Sequence, residues 1–312
     1  MLFWPQITDF MKFSVPFLFG MGSVLFLILA TFLSTQIVIK TQAYKNAREI
    51  YAQQLNYEKR LLDFEEWIQE DAGKKKQEIA EANLQQAIDN NGNAQWATLS
   101  LIVLAGCYLF FVLVLDRKTH YAPAIPGGLI LLGLACLQVG LFAPMLEIGA
   151  FQRDLSIPIK IDTGLFSINL DRTATFHGDL YFYYQSKSVV ELIGLLFRQN
   201  NFVVGGSILL FSVLFPLSKI TLTLLHLFQR QWTQGKWMQF LLHKAGKWSM
   251  ADVFVVAIFL AFLAFNNMQT GLQTETNVLI GLYFFFAYVI LSILSSYWLV
   301  PQIRPESPIL PE

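Results

Sequence analysis

The amino-acid sequence predicts an all-α polytopic membrane protein of about six transmembrane helices. A small cap containing a β-hairpin and a charged helical hairpin are expected outside the membrane. Three observations lead there. Of 312 residues, 54% are hydrophobic and only 14% charged, where a soluble domain carries about a quarter charged residues. Six runs reach the roughly 20 mostly apolar residues that a helix needs to cross the hydrocarbon core. The charges that remain are gathered between those runs. With net charge zero, no basic excess points to nucleic acid.

The first run, residues 14–37 (SVPFLFGMGSVLFLILATFLSTQI), exceeds a signal-peptide core and is followed by no small-residue cleavage site, so a retained anchor is expected. The others are 96–115, 126–146, 202–228, 250–266 and 277–300. Arg230, Lys236, Lys244 and Lys247 lie between the fourth and fifth runs, and Arg117 and Lys118 between the second and third. Basic loops face the cytoplasm. Both termini are therefore expected inside, with 40–95, 147–188 and 267–276 outside.

Residues 41–95 hold seven basic and ten acidic residues, no proline, and glycine only at Gly73 and Gly92. They read as two helices turning near Gly73, continuing the flanking spans, with Ile50, Leu55, Leu62 and Trp67 as a thin apolar stripe. Either the hairpin is merely solvated or it docks a partner. In LSIPIKIDTGLFSINLD, Ile157, Ile159 and Ile161, then Phe166, Ile168 and Leu170, alternate with polar residues around the turn Asp162-Thr163-Gly164. A β-hairpin follows from that pattern. In SKSVVELIGLLFRQN, Val190, Ile193, Leu196 and Phe197 recur at helical spacing over a segment too short to span. The last twelve residues, 301–312, contain four prolines and are expected as a disordered cytoplasmic tail. The domains read as 1–120, two spans flanking the hairpin, and 121–300, a four-helix domain with its cap.

Catalytic signatures are missing. There is no phosphate-binding glycine loop, no HExxH and no GxSxG. His120, His177, His226 and His243 are scattered, and the two cysteines, Cys107 and Cys136, form no CxxC. The sequence therefore predicts no enzyme, cofactor or metal.

An ionisable residue within an apolar run is a functional-site hypothesis, because hydrocarbon makes it costly. Lys219 lies inside FVVGGSILLFSVLFPLSKITLTLLHLF, behind Pro216 and beside Ser218. Two readings stay open. The lysine stem can snorkel to the cytoplasmic interface, or the ammonium can face the bundle interior. Pro216 should disturb the helix by freeing a carbonyl near residue 212. In KWSMADVFVVA, Ser249 suits an N-cap and Asp252 the first helical turn; alternatively Asp252 pairs with Lys219 across neighbouring helices.

FSVLFPLSKI (211–220) and KWSMADVFVVA (247–257), with FAPMLEI (142–148) and SVVELIGLLFRQNNF, resemble the paraquat-inducible protein A family over about residues 122–300. That resemblance implies a four-helix membrane domain with a small β-containing outer cap in the bacterial inner membrane. It also implies lipid transport across the envelope with a periplasmic mammalian-cell-entry-type partner. The transport-related polar site it implies is Lys219, Asp252, Ser249, Ser218 and Pro216, with Lys219 facing inward. Better-known members have two such domains and cysteine-rich zinc ribbons; this chain has one domain, no CxxC, and no family counterpart for residues 1–120.

Overall fold

The computed structural model describes residues 4–63, 70–119, 121, 123–162, 167–228, 257 and 273–303. It is mostly helical, with a small antiparallel sheet. The expected span at 250–266 lies outside the described residues, as does the tail from residue 304. Among the described residues five helices are long and apolar enough to cross a membrane, so the chain is a multi-pass membrane protein.

Helix α1 (Trp4–Gln54) and helix α3 (Glu70–Thr119) each run about 50 residues without a break, joined through the short helix α2 (Tyr57–Leu61). At 1.5 Å per residue each is about 75 Å long, more than twice a bilayer core. Both therefore continue from the membrane into the charged hairpin, as expected. The turn is not near Gly73, however, which sits buried within α3. Asn56 ends the α1 leg and caps α2 by accepting the Glu58 and Lys59 N–H groups. That side-chain cap supplies a stop signal where Gly73 supplies none.

The two long helices pair by a seven-residue repeat. On α3, Gly73, Ala80, Ala87, Ala94, Leu101 and Tyr108 are buried at intervals of seven. On α1, Phe19, Ser23, Phe26, Ala30, Ile37, Thr41 and Arg48, and just beyond its end Leu55, are buried at multiples of about 3.5 residues. A sustained 3.5-residue period keeps one seam facing its partner, as in a coiled coil. Phe26 stacks on Tyr108 with ring centroids 4.1 Å apart, and the Ser23 and Tyr108 hydroxyls are hydrogen-bonded at 2.9 Å. Small alanines bring the legs close outside the membrane.

Helix α4 (Ala124–Phe142) ends where Ala143 turns extended before Pro144, since the residue preceding proline is pushed out of the helical region. The third span thus stops at 142 rather than 146. Strand β1 (Leu146–Asp162) pairs antiparallel with β2 (Ser167–Lys187), in register from Leu146 opposite Lys187 to Asp162 opposite Ser167. The hairpin expected around 162–164 exists, but its strands reach back to Leu146 and on to Lys187. Register shifts between Ala150 and Phe151, Arg153 and Leu155, and Pro158 and Lys160 mark bulges. At the second, Asp154 adopts φ 51° and accepts the N–H of Gly178, itself at φ 81°.

Helix α5 (Val189–Arg198) opens with a capping box in which Ser188 and Glu191 exchange side-chain and backbone bonds. Then come α6 (Phe202–Leu209), a π-helical turn (Leu210–Leu214) and α7 (Phe215–Phe228). Strand β3 (Gln273–Val278) adds to β1 at 146–151, giving the order β2-β1-β3, and helix α8 (Ile280–Ile303) follows. The sequence places 267–276 outside the membrane with no element assigned and starts a span at 277, so β3 corrects the start of that span: its residues, QTETNV, are too polar to stand out. Residues 301–303 also belong to α8 rather than to the tail.

Candidate functional site

Pro216 has no N–H to donate, so the carbonyl four residues earlier, on Ser212, cannot have its α-helical partner. The helix widens just before it: Phe215 N–H donates to the Leu210 carbonyl, five residues back. The irregularity expected at Pro216 takes this form, and π turns of this kind cluster at functional sites. Around it Ser212, Pro216, Lys219, Ile220 and Thr223 form one buried stripe.

Lys219 is 8% exposed and points to α8. Its Nζ donates to Ser292 Oγ at 2.6 Å and to the Ser292 carbonyl at 3.1 Å. Ser292 is 12 residues into the 24-residue α8, so the ammonium lies near the middle of that helix, roughly 18 Å from its start. The lysine faces the interior, not the interface. Ser296 Oγ also donates to the Ser292 carbonyl, at 2.9 Å, and Ser295 Oγ to the Pro126 carbonyl on α4, at 3.1 Å. A serine-lined seam therefore joins α4, α7 and α8. Two of the three ammonium protons go to Ser292, and the third can meet a further acceptor.

The other expected site residues divide. Pro216 is buried on the Lys219 stripe. Ser218 is exposed and its hydroxyl bonds back to the Phe215 carbonyl at 2.9 Å, so it is not brought to the lysine. Ser249 and Asp252, with the proposed pairing of Asp252 and Lys219, lie outside the described residues. Ser292 was not anticipated, because one serine among several in an apolar run carries no distinguishing signal.

A second polar cluster sits where α1 meets the sheet. Glu147 on β1 is 1% exposed. Its carboxylate accepts from the hydroxyls of Tyr44 (2.9 Å) and Tyr184 (3.0 Å) and from the Asn277 amide (2.7 Å), with Arg48 at 3.7 Å. Arg48 donates to both oxygens of Glu275 on β3, at 3.0 and 3.1 Å. Its guanidinium lies 5.8 and 5.7 Å from the ring centroids of Tyr51 and Tyr184. Lys45, one turn back, is buried and donates to both Glu191 oxygens, at 2.7 and 2.6 Å. Burial of paired charges is costly unless partners offset it, and here the Arg48 Nη2 and Lys45 Nζ groups are paired while the buried Arg48 Nε has no partner among the described residues. A hairpin that is either solvated or docks a partner, as the sequence leaves open, does not anticipate the burial of Lys45 and Arg48. The spacing of Thr41, Tyr44, Lys45, Arg48, Tyr51, Ala52 and Leu55 along one helical face was the available signal.

Titration follows these contacts. Burial, then the Glu147 charge, pushes the Tyr184 hydroxyl far above its ordinary range, and burial first among causes raises Tyr181 to about 12. Both stay neutral donors or acceptors. Burial alone would raise Glu191, but hydrogen bonds from Lys45 and from the Ser188 N–H, with the charges of Lys45 and Lys187, hold it below its ordinary 4.5. Among the described residues no cluster of His, Cys, Asp or Glu could hold a metal ion.

Searches of curated proteins and of solved structures return no match. A family model does match. It begins within β2 and takes in Lys219, Ser292, β3 and α8, leaving the α1–α3 coiled coil, α4 and β1 outside the matched residues. Residues 177–303 match the model of the paraquat-inducible protein A family, the family that the FPLSK and WSMADVF motifs resemble.

Proposed function

We propose that this protein is a non-catalytic inner-membrane subunit that handles phospholipid or another lipid for transport across the bacterial envelope. In this reading both termini are cytoplasmic, the sheet and hairpin are periplasmic, and a mammalian-cell-entry-type protein is the periplasmic partner. The observation that carries it is a lysine buried at mid-helix depth, bonded to Ser292, inside the segment that matches the paraquat-inducible protein A family. Retaining an ammonium there is expensive, and an ammonium with a spare proton suits a passing phosphate or ester oxygen. Lys219→Ala and Asp252→Ala should each impair lipid transfer between membranes. If both variants insert normally and transfer lipid at the wild-type rate, the reading fails.

A second reading has the hairpin dock a partner while the bundle only anchors it. The exposure of Leu62 (81%) and Ile79 (58%) at the hairpin tip favours it. Deleting the hairpin cannot separate the two, because its base carries the buried Lys45 and Arg48. Leu62→Glu with Ile79→Glu separates them: loss of function in this variant, with Lys219→Ala silent, supports docking.

A further inference from the structure

Between α1, α3, α4 and α8 lies an apolar slot of about 250 Å³. Phe26 and Phe284 wall it, and Ala105, Ala135 and Ala287 leave it open because none reaches across. Ile102 and Tyr283, which also line it, are 57% and 63% exposed, so it opens sideways towards the surroundings of the helices rather than along their axes. Thr98, the polar group of the α3 wall, spends its hydroxyl on the Ala94 carbonyl at 2.9 Å.

The depth of the slot follows from α3. Trp96, 73% exposed, stands at the head of the apolar run, where tryptophan sits at the boundary between membrane and water. Thr98 to Ala105 then lie roughly 3 to 14 Å further in. Water needs two to four polar partners, and the lining is almost wholly apolar, with Cys136 and Tyr283 the residues besides Thr98 that carry a polar side-chain atom. A close-packed interior does not keep a void of this size, and a helix about 10 Å wide cannot enter it. We propose that the slot holds one acyl chain of a bilayer lipid, drawn from the leaflet on the sheet side. No charged group lines the slot, which matches a hydrocarbon occupant. The inference needs only a bilayer around the helices, so it stands or falls separately from the role of Lys219.

The test places the full-length protein in vesicles of phosphatidylethanolamine and phosphatidylglycerol, doped with a phosphatidylethanolamine carrying a diazirine midway along one acyl chain. After photolysis, adducts are mapped by mass spectrometry. Adducts should concentrate on Leu101–Ala105 and Leu132–Cys136. Ala105→Phe and Ala135→Phe should each lower them about tenfold, the loss expected when the chain's contacts are displaced, while labelling of Val24 and Ile28 on the outer face of α1 persists. Even labelling of slot and outer face in the wild type overturns the proposal without recourse to the variants. Slot adducts unchanged in both variants also overturn it, as does cross-linking of the slot to a helix of a second copy.

Discussion

A lysine in an apolar helix is tolerated only if its protons are spoken for, and Ser292 takes two of those on Lys219. Removing the serine hydroxyl should therefore hurt through the lysine it leaves behind. Ser292→Ala is expected to destabilise the protein by about 1–3 kcal/mol, the cost of an under-bonded buried charge. In a Lys219→Met background the same change should be nearly neutral, giving a coupling energy of about 1 kcal/mol or more. Thermal unfolding of the four proteins of that cycle in detergent measures it, and additive effects would mean that the bond contributes nothing. Arg48 obeys the same logic with larger stakes. Arg48→Ala leaves Glu147 and Glu275 without their shared cation, which should cost about 3–5 kcal/mol. Arg48→Lys should recover only part of that, because an ammonium cannot address both Glu275 oxygens and the Tyr51 and Tyr184 rings with one planar group. Denaturant unfolding followed by tryptophan fluorescence reads both; equal stability of Arg48→Lys and wild type would refute the geometric argument.

At the scale of elements, the α1–α3 seam makes its own prediction. Ala87 is fully buried at a repeat position, whereas its neighbour Ile88 is 53% exposed. Ala87→Leu should force the legs apart and cost about 1–3 kcal/mol, and Ile88→Glu should change stability by less than about 0.5 kcal/mol. Proteolytic susceptibility of the hairpin across a temperature series distinguishes the pair. This seam also shows what sequence reading reaches and where it stops. Long apolar runs such as 96–115 and 202–228 declare spans because no other structure uses twenty apolar residues in succession. The β-hairpin is visible because Ile157, Ile159 and Ile161 alternate with polar residues. Alanine at Ala80, Ala87 and Ala94 is equally at home on a solvated helix face, so the seam is legible only as a period and not as hydrophobicity. Strand β3 is invisible for a related reason: a six-residue edge strand of polar residues is defined by the β1 backbone it bonds to, not by its own side chains. The candidate site divides along the same line. Lys219 is conspicuous because it violates its surroundings, while Ser292, Lys45 and Arg48 violate nothing until the fold buries them.

For the whole molecule, the charged pairs decide how the two halves stay joined. Lys45 and Arg48 belong to α1, outside the family match; Glu191 and Glu275 belong to the matched segment. The hairpin leg is further tied to β2 by the Tyr181 N–H, which donates to the Leu55 carbonyl at 2.8 Å. The unmatched N-terminal half is thus bonded into the matched one rather than hung beside it. Glu191 makes the joint sensitive to acid. Its pKa is depressed in the folded protein below the ordinary 4.5, so the folded state favours the carboxylate and the unfolded state binds the proton more readily. The stability it contributes is therefore full above about pH 4.5 and is lost as pH falls through the lower, folded value. The groups facing it are Lys45 and Lys187, with Glu49 in turn paired to both at 3.8 and 3.6 Å. Lys45→Met removes the nearest cation and should move the Glu191 titration upward. Hydrogen exchange at the Tyr181 amide, which reports docking of α1 on β2, should then rise at a higher pH than in wild type. Unchanged acid profiles in the two proteins would show that the Lys45–Glu191 pair does not hold the halves together.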